Sequence, residues 1–313
     1  MSKNCRVSVV VPSYNRAHIL KRTLPTYLQE YVGEVIVVDD ASTDHTAEVI
    51  RELMAQYPQI RYLRNEVNSK QGFTKNRGIA AARFEYIYFG DDDSIICPGT
   101  IARLLDTLQT YDADIVGAKA LYALREEQIF RIQDFVAAND RLADDPKQII
   151  DLSTMRVDFS LSYKEPLEVP FVQACFLVST QLARNLQFDT CYQGNAYREE
   201  TDFLIRASLA GKKIMYDSTA VQVNLPRTAS SGGAHAGTSE DWYRSAVENN
   251  NYFLDKNYAA MQAKWGLPNS IEQMRILFDA EMTARYRAEH RYDWLRKTGL
   301  YKPLKAVKNW IGK

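Results

Sequence analysis

No cysteine pair punctuates this chain of 313 residues. Cys5, Cys97, Cys175 and Cys191 are scattered, and none forms a C-x-x-C. Such spacing argues against a disulfide framework and reads as buried free thiols in a reducing compartment. No apolar run approaches the ~18 residues of a membrane span. Met1 to Arg6 leads straight into a strand pattern and lacks the apolar stretch of a signal peptide, so a cytoplasmic location is expected. There is no net charge either: 39 Lys and Arg balance 39 Asp and Glu. No global field therefore draws the chain to nucleic acid. A G-x-G-x-x-G after the first strand is also missing, which removes a dinucleotide-binding dehydrogenase.

What is present is alternation. Val7–Val11 is β-branched and nearly continuous, the pattern of a strand buried on both faces. A helix is predicted over 17–30, then a second buried strand over Glu34–Val38. Asp39 and Asp40 end it, and Thr43 or Asp44 can cap a helix over 46–57. Ile60–Leu63 is a third strand, 74–83 a helix and Tyr86–Phe89 a fourth strand. Strand and helix in turn mean a mostly parallel sheet covered on both faces. In such sheets ligands bind beyond the carboxyl ends of the strands. Pro12-Ser13-Tyr14, Asp39-Asp40 and Asp91-Asp92-Asp93 are therefore expected to converge on one edge.

Beyond the fourth strand the pattern predicts a helix over 99–111 and a strand over 114–119. Residues 122–165 have no sustained period and read as an inserted run of weak helices and loops, a place for acceptor contacts or a lid. Phe171–Val178 reads as a strand, and a helix beginning near Glu199 stops at Gly211. Two short strands follow, over 214–216 and 220–223, and then a Gly-rich loop through 237. The domain division expected is 1–239, with a nucleotide-binding half to 120 and an acceptor half from 121, followed by a helical extension over 240–313. Its last stretch, 296–313, holds five lysines and no acid after Arg296. It is read as a helix packed on the domain with solvated lysines, or as a peripheral contact with the inner face of a membrane.

Three adjacent carboxylates at a strand end need an explanation. Two like charges ~4 Å apart repel by roughly 4 kcal/mol at an effective dielectric of ~20. A divalent cation would offset that, whereas a solvated turn or a helix cap would carry the same residues without one.

Four stretches together resemble family 2 glycosyltransferases of the GT-A fold: Val7–Arg16, Val35–Asp44, Gly72–Ala80 and Asp91-Asp92-Asp93 followed by Pro98-Gly99. Lys75 stands where that family usually has arginine. The Pro-Gly register makes Asp91 and Asp93 the acids of its DxD motif. Farther on, Arg198-Glu199-Glu200-Thr201-Asp202 is similar to the acceptor-side acidic motif, whose second acid is the family's base. That position is Glu200, with Glu199 or Asp202 as alternatives. Where the family often carries a histidine this chain has Asn224, and His235 in Ser231–His235 is the candidate replacement.

The resemblance implies a metal-dependent, inverting transfer of a sugar from a nucleotide-diphosphate donor, a UDP-sugar first. The acceptor would be a hydroxyl of a saccharide or lipid-linked saccharide, as in cell-surface polysaccharide synthesis. Asp39 suits the base or ribose, Pro12, Ser13 and Tyr14 the face of the base, and Asp40 the same loop. Lys75 is expected at the diphosphate, with Arg16 and Arg77 in reserve. Asp93 is expected to hold Mn²⁺ or Mg²⁺, with Asp91 as partner and His235 as a further ligand. Asp92 counts as a donor contact and is the acid of the three whose loss should matter least. Two other readings are carried. A sugar-1-phosphate nucleotidyltransferase would want a Gly-rich, Arg- and Lys-bearing loop after strand one, which Pro12–Asn15 is not. A non-catalytic nucleotide-sugar-binding protein would keep the binding acids without turnover.

Overall fold

The computed structural model describes residues 7–233 and 238–290. His235 and the basic tail 296–313 therefore lie outside the described residues. The first half runs β1 (Val7–Ser13), α1 (Ala17–Thr23), β2 (Val32–Asp39), α2 (Thr46–Gln56), β3 (Ile60–Arg64), α3 (Lys70–Ala81) and β4 (Tyr86–Phe89). Then come β5 (Ser94–Ile96), α4 (Thr100–Thr110) and β6 (Ile115–Tyr122). The insertion carries α5 (Glu126–Phe130), α6 (Ile132–Ala138), α7 (Pro146–Ile149), β7 (Ile150–Asp151) and β8 (Arg156–Val157). The chain continues through β9 (Leu167–Glu168), β10 (Phe176–Ser179), α8 (Thr180–Leu186), α9 (Glu199–Leu209) and β11 (Ile214–Asn224). Two long helices close the described chain, α10 (Ser239–Trp265) and α11 (Ile271–His290).

The main sheet orders its strands β3-β2-β1-β4-β10-β6-β11-β5, with β9 also on β11. Its first four strands are parallel, as the alternation requires. Beyond β4 the sheet is mixed. β10 enters antiparallel between β4 and β6, and β5 lies antiparallel on β11. The alternating pleat sends Val10, Ile36, Val38 and Phe89 into one apolar cluster. It sends Val9, Val11, Val35, Val37 and Tyr88 into another. Two covered faces explain the near-continuous apolar runs. α10 adds Phe253, Leu254, Tyr258 and Met261 to the first cluster, so the C-terminal helices share the core of the sheet.

Local departures have local causes. The first helix stops at Thr23 instead of reaching residue 30, because Pro25 lacks a donor and a short 3-10 turn over Leu24–Tyr27 takes over. α3 begins at Lys70, four residues earlier than its periodicity suggests. The Asp40 carboxylate accepts from the Ser69 and Lys70 amides at 2.8 and 2.9 Å and caps the helix from a distant loop. The two short strands predicted over 214–223 are one strand, β11, with a register shift between Asp217 and Val221. Of the strand predicted over Phe171–Val178 only Phe176–Val178 is paired, and the strand runs on to Ser179. Val172 instead packs over Gly117, where a Cβ would lie 2.4 Å from the Val172 side chain.

Candidate active site

Parallel register brings the first three loops together. Ser13 is opposite Asp39 and Val10 is opposite Phe89, so β1, β2 and β4 end side by side. A cleft of about 1180 Å³ opens at that edge. Pro12, Ser13, Tyr14, Arg16 and Asp40 line it, together with Asp91, Asp92 and Asp93. Glu200 and Asn224 reach the same cleft from the second half of the chain.

The acidic loop is held from below. Tyr27, fully buried, donates its hydroxyl to the Asp91 carbonyl at 2.7 Å. The Ser13 hydroxyl donates to Asp92 Oδ2 at 2.8 Å. Arg16 is 3.4 Å from Asp92 Oδ1 and 3.3 Å from Asp93 Oδ2. One guanidinium thus faces two carboxylates. Asp91 is left with the Cys175 thiol at 3.4 Å. Burial and the Asp93 charge push the Asp91 carboxyl up to about 6. Burial pushes Asp92 up to about 7, against the pull of Arg16. The loop is short of positive charge. Asp92 is the most tethered of the three acids, through Ser13 and Arg16.

Asp39 does not reach the cleft. The β2–β3 register sets Arg64 beside it, and its carboxylate accepts from Arg64 at 3.2 Å, the Tyr62 hydroxyl at 2.7 Å and the Ser42 amide at 2.8 Å. Asp40 is the residue of that pair on the cleft wall, although Asn65 also donates to it at 2.7 Å.

The expectation for Lys75 is corrected more sharply. It is 1% exposed, and its ammonium sits on Glu199 Oε1 at 2.7 Å and on Glu200 Oε1. It is held inward by the two acids of α9 and is not part of the cleft wall. Arg77, the other reserve cation, donates to the Arg64 carbonyl and to Asn65.

The three acids of α9 separate cleanly. Glu199 is fully buried, with Oε2 left without a partner, and burial raises its carboxyl to about 8 despite Lys75. Asp202 is closed by Arg206 at 2.8 Å, Lys256 at 3.0 Å and Asn257 at 2.9 Å and does not line the cleft. Glu200 alone lines the cleft, its side chain 18% exposed. Among the described residues, no three His, Cys, Asp or Glu side chains surround one point closely enough to hold a metal by themselves.

Residues 8–174 match the model of glycosyl transferase family 2, just over half of the chain. The chain belongs to that family. It is 37% identical over 118 residues to glycosyltransferase GlyG of Streptococcus pneumoniae serotype 4, a match covering 35% of this chain. The chain spans little more than a third of that relative, 37% of its length. The structure of mannosyltransferase PcManGT from Pyrobaculum calidifontis, in complex with GDP-Man and Mn²⁺, superposes with a TM-score of 0.58 at 17% identity. That likeness covers 98% of this chain and 84% of the other. S. aureus TarS 1–349, in complex with UDP-GlcNAc, superposes with a TM-score of 0.56 at 16% identity, over 90% of this chain and 73% of that one. The fold is GT-A, with its curled mixed sheet and a helical C-terminal region.

Several residues of this family 2 site carried no signal in the sequence. Tyr27 stands outside every motif, yet it pins the acidic loop. Cys175 read as a core thiol and instead touches Asp91. Gly233 approaches Arg16 so closely that a Cβ would lie 2.6 Å from Nη2, and its amide donates to the Tyr14 carbonyl at 3.0 Å. The loop before residue 234 is thus docked on the first motif. The far wall comes from Tyr122, Phe159, Tyr197 and Trp242, on the insertion and the C-terminal half. No helix among the described residues is long and apolar enough to cross a membrane.

Proposed function

We propose that the protein is a metal-dependent, inverting glycosyltransferase that moves a sugar from a nucleotide-diphosphate donor, a UDP-sugar first, to a hydroxyl of a saccharide or lipid-linked saccharide. The observation that carries this reading is one cleft lined by Asp91, Asp93 and Glu200 together. Family membership supports it. So do the donors held by proteins of the same fold, UDP-GlcNAc in TarS and GDP-Man with Mn²⁺ in PcManGT.

The acidic loop fits a hard divalent cation. Mg²⁺ and Mn²⁺ are commonly bound by one or two carboxylates, with substrate phosphates completing the shell. Asp93 and Asp91 supply two such carboxylates in a loop that one arginine cannot neutralise. When bound, the ion would act as a Lewis acid toward the departing diphosphate. Pro12, Ser13, Tyr14 and Asp40 form the wall for the base and ribose.

Glu200 is the base in this reading. It takes the proton of the acceptor hydroxyl while that oxygen bonds to the anomeric carbon and the bond to the diphosphate breaks on the opposite face. Lys75 holds the carboxylate by one oxygen, so its orientation is set by a buried cation rather than by solvent. The motif's usual aspartate is one methylene shorter, and the lysine is the shorter-reaching substitute for the usual arginine.

A thermal-shift screen of UDP, GDP and dTDP with and without Mn²⁺ tests the reading. Metal-dependent stabilisation by one of them is expected, and its absence for all three defeats the proposal. Asp93→Asn should remove the metal-dependent shift. Glu200→Gln should keep it and lose transfer. A wild-type chain that binds UDP with Mn²⁺ yet consumes no sugar nucleotide would instead be the non-catalytic binding protein.

A further inference from the structure

One arginine of the cleft has no counter-charge among the described residues. Arg198, immediately before α9, is only 9% exposed and lines the cleft. Its Nε donates to Asn250 Oδ1 at 3.1 Å. The rings of Tyr197, Phe278 and Phe253 lie 5.2, 5.4 and 5.7 Å from its guanidinium carbon. Among the described residues, no carboxylate lies within ion-pair distance of it and none accepts from its terminal amino groups. The other arginines of the cleft differ. Arg16 faces Asp92 and Asp93, Arg227 faces Glu289 and Arg285 faces Glu281.

A buried guanidinium without a counter-charge is costly. Ring faces offset part of that cost, but they do not accept the in-plane N–H donors. Asn250 Nδ2, in the same cluster, is buried with no hydrogen-bond partner among the described residues. The backbone of Arg198 is left-handed, with φ 75°, a conformation that a side chain normally avoids. A planar fork with free donors, set in an apolar collar at the wall of a cleft, matches an oxyanion.

We propose that Arg198 anchors an anionic group, a phosphate or a carboxylate, carried by the acceptor substrate. The proposal rests on the reading of this cleft as a glycosyl-transfer site. Arg198 is two residues from Glu200 and lines the same cleft. An acceptor held by its anion is therefore held beside the residue that takes the hydroxyl proton. The donor's own diphosphate is the rival occupant. The donor groups, however, come from the loops after β1, β2 and β4, whereas Arg198 is built against α10 and α11 through Phe253 and Phe278.

The test uses the full chain saturated with UDP and Mg²⁺, titrated with inorganic phosphate, methyl phosphate or glucuronate, and read by thermal shift. Phosphate is expected to stabilise further on top of UDP. Arg198→Gln should keep the UDP shift and bind the anion about tenfold more weakly, or worse, since a charge-assisted pair is lost. Arg198→Lys keeps the charge without the fork and should also weaken binding. A stronger response to methyl phosphate marks a phosphorylated acceptor, and a stronger response to glucuronate marks a uronic acid. Anion binding that disappears when UDP saturates the site assigns Arg198 to the donor and overturns the proposal. So does an unchanged affinity in either variant, or no anion response in the wild type. The wild-type competition decides even where a variant fails to fold. A missing UDP shift would strike the donor reading instead, and is scored separately.

Discussion

Replacing Lys75 by methionine should be the most damaging single change in the core of this protein. The ammonium is 1% exposed and lies between two carboxylates, one of them fully buried. Methionine keeps the length of the side chain and suits the apolar neighbourhood of Phe188, whose ring lies 5.1 Å from the ammonium. The loss is then mainly electrostatic. Removing one partner of a buried ion pair costs about 3–5 kcal/mol. For a chain of this size that lowers the melting temperature by about 5–8 °C. Glu199 can limit the damage by keeping its proton, since burial already holds its carboxyl up to about 8. The double variant Lys75→Met, Glu199→Gln should therefore be more stable than the sum of the two single losses, by about 1–3 kcal/mol. Urea unfolding of all four proteins at neutral pH measures this cycle. A Lys75→Met protein within about 1 kcal/mol of wild type would show that the ammonium is not the counter-charge of α9, and strict additivity would show that Glu199 does not respond to it.

Three further outcomes follow from the same contacts. Because Glu199 is raised above its usual value, the folded state holds a proton that the unfolded chain has released. Its contribution to stability is full below the usual carboxylate range and is lost as pH rises toward 8. Stability measured from pH 5 to 8 should fall less steeply in Glu199→Gln than in wild type, and an identical slope would refute the assignment. Tyr27→Phe removes the bond to the Asp91 carbonyl and should cost about 1 kcal/mol in urea unfolding while weakening metal-dependent nucleotide binding. Unchanged binding would mean that the loop holds its shape without that anchor. Gly78→Ala should destabilise by about 1–3 kcal/mol, because the new Cβ would lie 2.2 Å from Val10 Cγ1 where α3 crosses β1. A neutral effect would show that the helix can lift from the strand without cost.

Local pattern made the first half readable. β4 was predicted over the residues it occupies, Tyr86–Phe89, because an apolar run flanked by turn residues has few other uses. The convergence of the loops after β1, β2 and β4 followed from parallel topology alone. Contacts across long sequence separations were not readable. The cap that starts α3 early is Asp40, and the partners that close Asp202 are Lys256 and Asn257. Nothing near Lys75 in the sequence announces Glu199 and Glu200, more than a hundred positions away.

By itself, the sequence determined the strand-and-helix order, the two-faced burial of the strands and the cluster of acids at one sheet edge. Periodicity and local turn chemistry are properties of neighbouring residues, so they can be read along the chain. Only the tertiary structure decided the distribution of charge. It gave Lys75 to the acids of α9, closed Asp39 against Arg64 and tied Asp92 to Ser13 and Arg16. It also left Arg198 buried without a counter-charge among the described residues. Whether a charge meets a partner or waits for a ligand depends on what the fold sets beside it, and burial then multiplies the consequence.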